Sequence, residues 1–166
     1  MEFMIVIALT LAWMPWVSPA LAVVPGWDNT GAMGNAHTWH TATLLGNGTV
    51  LITGGDNGTG FFSSAEVYAT DTGTFTPTGT MGTPRNQHTA TLLGNGTVLI
   101  AGGTNGGVYH SSAEVYDSGT GTFTSTEAMS VPRNYHTATL LGDGKVLIAG
   151  GSNGGAYHSS AELYDS

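Results

Sequence analysis

The stretch from His88 to Gly103 reads HTATLLGNGTVLIAGG. It begins at His40 as HTATLLGNGTVLITGG and at His136 as HTATLLGDGKVLIAGG, so the copies stand 48 residues apart. A fixed period of this length marks one supersecondary unit repeated, each unit too small to bury its own apolar face alone. The phase holds beyond the quoted stretch: Glu66, Glu114 and Glu162 share it, as do Tyr68, Tyr116 and Tyr164. From His88 to Asp117 and from His136 to Asp165 the second and third copies differ at five of 30 positions.

Turn residues divide the unit into four strands. His88–Leu93 is expected as strand A, followed by Gly94-Asn95-Gly96, where an Asn-Gly step predicts a type I′ hairpin. Thr97–Ala101 is strand B, a Val/Leu/Ile run suited to burial on both faces, and Gly102-Gly103 closes it. Ser112–Tyr116 is strand C, Asp117-Ser118-Gly119 turns the chain, and Gly121–Ser125 is strand D. Four antiparallel strands in about 48 residues, repeated, predict all-β propeller blades. Strand sets A-B-C start at 40, 88 and 136. Trp27 stands 48 residues before Phe75, so an isolated strand D is expected near 27–31.

The double glycine closing strand B, the Ala-Glu-Val-Tyr of strand C and the aromatic of strand D (Phe75, Phe123) resemble a Kelch repeat. The R-x-x-H-T-A-T-L-L lead at Arg85 and Arg133 is similar to the exported bacterial Kelch-like subtype. The resemblance covers Trp27–Ser166 and implies a Kelch-type propeller of three repeats across residues 23–166. Three blades fall below the four to eight usual for propellers, so an incomplete ring, or one completed by a second chain, is expected. In such propellers the N-terminal strand commonly completes the last blade, and here the chain opens on a strand D and stops after a strand C.

Composition narrows the function. Twenty-six glycines and few charged residues suit short strands and tight turns. Arg85, Arg133 and Lys145 face 11 acidic residues, for a net charge of −8, which excludes a phosphate-neutralising nucleic-acid surface. With no cysteine there is no disulfide framework and no thiolate site. Met4–Val24 is almost wholly apolar and Ala20-Leu21-Ala22 has a small-x-small ending, so residues 1–22 read as a signal peptide and the product as secreted or at the extracellular surface. The n-region carries Glu2 and no Lys or Arg, which leaves an uncleaved membrane anchor or a misassigned start as alternatives.

Strand polarity places the D–A and B–C loops on one face, which holds the chemical variety. The candidate ligand-binding residues are Trp39, Arg85, Arg133 and Tyr135 on the D–A loops, and Phe61, Phe62, Tyr109, His110, Tyr157 and His158 on the B–C loops. Rings beside His and Arg suit a sugar or a peptide; their competing role is to cover blade edges. His40, His88 and His136 are read as structural rather than metal-binding, as are Glu66, Glu114 and Glu162. Asp56-Asn57-Gly58-Thr59-Gly60 faintly resembles a calcium loop, but its counterparts begin with Thr104 and Ser152 and carry no acidic set. The Asn-Gly-Thr triplets at 47, 57 and 95 match a glycosylation pattern and are read as turns.

No Ser-His-Asp order, H-E-x-x-H or phosphate loop is present, and the copper radical oxidases among Kelch-type propellers require a cysteine cross-linked to a tyrosine ligand. The expectation is therefore a non-catalytic, exported binding module without cofactor, taking a protein or carbohydrate ligand and prone to self-association. The alternatives are a self-assembling structural unit, ring or filament, completed by strand exchange, and a fragment of a longer Kelch array.

Overall fold

The computed structural model describes residues 26–166; the leader expected over 1–22 and its cleavage site lie outside the described residues. The described chain contains strands, turns and extended segments but no helix. The first sheet takes β1 (Thr41–Leu44), β2 (Val50–Thr53), β3 (Ser64–Ala69) and β4 (Thr74–Thr80), hydrogen-bonded in that order. The second repeats it with β5 (Thr89–Leu92), β6 (Val98–Ala101), β7 (Ala113–Asp117) and β8 (Thr122–Thr126). The third holds β9 (Thr137–Leu140), β10 (Val146–Ala149) and β11 (Ala161–Tyr164). Every pairing is antiparallel, and register is conserved: Ile52 faces Glu66, Ile100 faces Glu114 and Ile148 faces Glu162. These are three successive, unclosed propeller blades.

The first strands of the blades, β1, β5 and β9, lie side by side. Strand B of the middle blade, β6, is buried along its whole length, as its continuous apolar run suits, while β2 and β10 keep half-buried positions. Leu45, Leu51 and Ala65 of the first blade pack against Val98, Ile100 and Tyr116 of the second. One period later, Leu93, Leu99 and Ala113 pack against Val146 and Ile148. Leu51, Val98, Ile100 and Val146 have no exposed surface, each worth about 1.5–3 kcal/mol of burial. No blade has a core of its own; the core lies between blades.

Two local expectations are corrected. The Asn-Gly hairpin is not type I′, because only the glycine (Gly48, Gly96, Gly144) has positive φ. Gly48 N–H closes a four-residue turn onto Leu45 O, and the Asn47 Oδ1 accepts from both Thr49 N and Thr49 Oγ1. That local side-chain bond holds Asn out of the left-handed region and lengthens the loop. Residues 27–31 form no strand, since no strand C lies beside them to supply a ladder. Their phase is nevertheless correct: Gly31 N–H donates to Gly73 O as Gly79 N–H donates to Gly121 O. The Thr30 hydroxyl meets Tyr68 OH as Thr78 meets Tyr116 OH.

The double glycines show why no side chain fits there. At Gly102, with φ +66°, a Cβ would stand 2.5 Å from Arg133 O, and at Gly103 it would stand 2.5 Å from Asn86 O. Gly103 N–H in turn donates to Arg133 O at 2.9 Å. The glycines let the next blade's D–A loop touch the end of strand B.

Candidate functional site

The D–A loops pair with the B–C loops through single bridges, Thr38 with Asp56, Asn86 with Thr104 and Asn134 with Ser152. Both loop types therefore share one face, as the strand order implies. Trp39, Gln87 and Tyr135, 48 residues apart, are the non-glycine residues with positive φ among the described residues, at +53°, +53° and +54°. Gln87 N–H donates to Trp39 O and Tyr135 N–H to Gln87 O, each at 3.2 Å. A left-handed conformation costs an L-residue about 1–2 kcal/mol, and this chain of inter-blade hydrogen bonds holds three of them in it. The result turns the Trp39 and Tyr135 rings outward, 56% and 61% exposed.

Between these loops lies an open groove of about 360 Å³. Its walls are aromatic: Trp39, Phe61, Tyr109 and Tyr135. Its floor is polar: Asp56, Asn86, Gln87, Thr104 and Asn134. Asn86 Nδ2 donates to Asp56 Oδ2 at 2.6 Å, and Asn134 Nδ2 to Gln87 Oε1 at 2.6 Å. Ser152 Oγ donates to Asn134 Oδ1 at 2.8 Å. The floor is thus fixed by side-chain bonds between blades. Rings above fixed amide and carboxylate groups can stack on a planar or ring-shaped ligand face while hydrogen-bonding its edge.

Four of the ten residues expected on the ligand face line this groove: Trp39, Phe61, Tyr109 and Tyr135. Arg85 and Arg133 do not, and their expected role is corrected. Both have zero exposure. Arg85 Nη1 donates to Gly102 O (2.7 Å) and Ser112 O (3.1 Å), and Nη2 to Ser112 Oγ and Glu114 Oε1 (3.1 Å each). Arg133 makes the same four bonds to Gly150, Ser160 and Glu162. Each arginine ties the entry of its blade to strands B and C, so its charge is spent internally. Phe62 turns away from the groove onto the His37 ring, 5.5 Å between centroids. His110 and His158 are half-buried, each with Nε2 enclosed and unpartnered. Tyr157 lies by a separate cleft of about 150 Å³ and is 95% exposed.

Two of the three repeated histidines, His88 and His136, join blades. His88 Nε2 lies 3.1 Å from Thr41 Oγ1 and 3.2 Å from Thr53 Oγ1, and His136 Nε2 lies 2.9 Å from Thr89 Oγ1. Burial, followed by the Arg85 charge, lowers His88 to about 3; burial and Arg133 lower His136 to about 4. Both are neutral imidazoles at ordinary pH. Among the described residues no group of three or more His, Cys, Asp or Glu is placed to hold a metal. The repeated glutamates accept backbone N–H groups from the preceding loop: Gly34 N on Glu66, Gly82 N on Glu114 and Ser130 N on Glu162. Burial pushes Glu162 up, but the Ser130 and Arg133 bonds outweigh it and hold the carboxyl below its usual value.

Asn86, Thr104 and Asn134 were not singled out from sequence. One signal in the sequence marks the two asparagines: each directly follows a repeated arginine.

Comparison with known proteins agrees with the architecture. A Kelch motif is matched over residues 84–130. No curated protein matches the chain. Among solved structures, the chain is similar to a fungal alcohol oxidase with catalytic diversity among the AA5 family, in complex with copper, at TM-score 0.63 and 22% identity. The match covers 69% of this chain and 27% of the oxidase, so the chain spans about a quarter of that protein's length and the likeness concerns the fold. The matched motif, its two in-phase copies and the blade geometry together identify Kelch-type β-propeller repeats.

Proposed function

We propose that this chain is a non-catalytic binding module whose loop face takes a protein or carbohydrate ligand. One observation carries the reading: three blades jointly build a groove with four aromatic walls over an amide and carboxylate floor. Kelch repeats commonly mediate protein interactions, which favours an extended peptide; the stacking rings suit a sugar equally well. The chain has no cysteine, so it cannot form the cysteine–tyrosine ligand of copper radical oxidases. The apolar leader supports export and a secreted or cell-surface location. Mass spectrometry of the product should find a new terminus at Val23, and an intact Met1 on a soluble cytoplasmic product would refute export.

The binding test uses Trp39→Ala and Tyr135→Ala against panels of immobilised polysaccharides and extended peptides. Both rings are exposed, so melting should stay nearly constant while retention on the recognised ligand falls at least tenfold. Unchanged retention in both variants would refute the groove as the site.

A further inference from the structure

With the groove as the binding site, as proposed above, we infer that it selects a cationic side chain, the arginine or lysine of an extended peptide. Asp56 is the counter-ion for that side chain, and the aromatic walls lie against its charge.

Asp56 breaks the repeat. Asp56, Thr104 and Ser152 hold one position in their blades, each bridged to a D–A loop, at Thr38, Asn86 and Asn134. The second and third blades make that bridge with a neutral hydroxyl residue, so the fold does not call for a carboxylate there. Asp56 is nevertheless buried, at 7% exposure. Both of its hydrogen-bond donors are neutral: Gly58 N–H reaches Oδ1 at 2.9 Å and Asn86 Nδ2 reaches Oδ2 at 2.6 Å. The chain's basic side chains are Arg85, Arg133 and Lys145, and they pair with Glu114, Glu162 and Asp165 instead. Burying a carboxylate is costly unless a cation compensates it. A carboxylate offers about four lone-pair sites, and two donors occupy Asp56, so acceptor capacity remains.

The amide beside it is short of a donor as well. One period later, Asn134 uses both ends of its amide, Nδ2 on Gln87 Oε1 and Oδ1 under Ser152 Oγ. At Asn86 the nitrogen is taken by Asp56, but the Thr104 hydroxyl turns to Val108 O instead. Asn86 Oδ1 is left buried with no hydrogen-bond partner. The floor beneath the rings is therefore richer in acceptors than in donors, which favours a ligand that donates.

Charge decides the class of ligand. Asp56 is the one charged side chain lining the groove, and the chain carries a net charge of −8, so a phosphate or carboxylate ligand is repelled. A hard metal ion takes six or more oxygens, and the lining holds a single carboxylate. A neutral sugar would bond the amides yet leave Asp56 without a counter-ion. A guanidinium or ammonium satisfies every part of the site. Trp and Tyr faces attract a cation within about 6 Å of the ring centroid, and Trp39, Tyr109 and Tyr135 are among the walls. Arginine fits best, because its plane stacks on rings while its N–H groups meet a carboxylate.

Calorimetric titration of the whole chain tests this with the acetylated, amidated peptide Gly-Gly-Arg-Gly-Gly and its counterparts carrying lysine, citrulline or glutamate in the centre. Citrulline keeps the shape of arginine and removes its charge. The arginine and lysine peptides should bind at least tenfold more tightly than the citrulline peptide, and the glutamate peptide should not bind. Asp56→Thr installs the residue of the second blade, and Asp56→Asn keeps an acceptor for Gly58 N–H. Both should retain the parent's circular dichroism spectrum and bind the arginine and citrulline peptides equally. Asp71→Asn removes the same charge from an exposed position and should bind as the parent does. Equal binding of arginine and citrulline by the parent, an arginine preference that survives both Asp56 variants, or an equal loss in Asp71→Asn would each overturn the inference. Retention of a neutral oligosaccharide that falls with Trp39→Ala, in a protein that binds none of the peptides, would overturn the cation and leave the groove as the site. Arginine-peptide binding unaffected by Trp39→Ala and Tyr135→Ala would overturn the groove itself.

Discussion

Replacing Arg85 by methionine tests whether the repeated arginine is a structural tie. The side chain has no exposure, and the substitution removes four hydrogen bonds, two to main-chain carbonyls, one to Ser112 Oγ and one to Glu114. Glu114, itself 6% exposed at its side chain, keeps only the Gly82 N–H donor, at 2.8 Å. A buried charge stripped of its partner costs about 3–5 kcal/mol, a large share of the 5–15 kcal/mol typical of a whole domain. Urea unfolding followed by circular dichroism should therefore show a much lower midpoint for Arg85→Met. Replacing Glu114 by leucine in the same chain should restore at least half of the loss, because an apolar pair no longer strands a charge. Arg133→Met should cost less, since the Glu162 side chain is 23% exposed and water can solvate it. A loss below about 1 kcal/mol for Arg85→Met, or a double variant worse than the single, would refute the reasoning.

Acid should destabilise the blades. His88 and His136 are held neutral at about 3 and 4 in the fold but titrate near 6.5 when unfolded. Their stabilisation is complete above 6.5 and falls with pH toward those values, by up to about 1.4 kcal/mol per unit for each. Urea midpoints measured from pH 7 to 4.5 should drop steeply, and a flat profile would contradict the burial argument. Gly102→Ala should cost at least about 2 kcal/mol, since it combines φ +66° with a Cβ 2.5 Å from Arg133 O; a melting temperature within a degree of the parent would refute the close approach. Tyr135→Gly should leave melting nearly unchanged, because relief at φ +54° offsets the added freedom of the unfolded chain; a marked loss of stability would show the ring to be structural.

Blade count, strand order and the loop face were legible because they depend on local signals: apolar runs, glycine pairs and a fixed period. The site was legible only in part because exposure depends on neighbours. Arg85 looks in sequence like a loop cation, and nothing local announces that two carbonyls, a serine and a glutamate converge on it. The groove floor was obscure for the same reason. Asn86 and Asn134 act through partners on adjacent blades, Asp56 and Gln87, at separations set by the repeat rather than by a local motif.

The aromatic series Phe61, Tyr109 and Tyr157 carries this furthest. The three occupy one position in the repeat, and Tyr109 and Tyr157 share the Tyr-His-Ser-Ser that follows. Phe61 is 38% exposed over Gly106, Tyr109 is half-buried over Gly154, and Tyr157 is 95% exposed. No difference in propensity separates them, so the presence of the next blade's glycine is the variable. In a repeat protein whose core lies between units, each residue's environment is set one period away. A repeated residue that departs from its siblings' burial therefore reports a missing neighbour. Tyr157, Leu163 and Gly58 depart from their siblings in this way because no blade of the described arc packs against them.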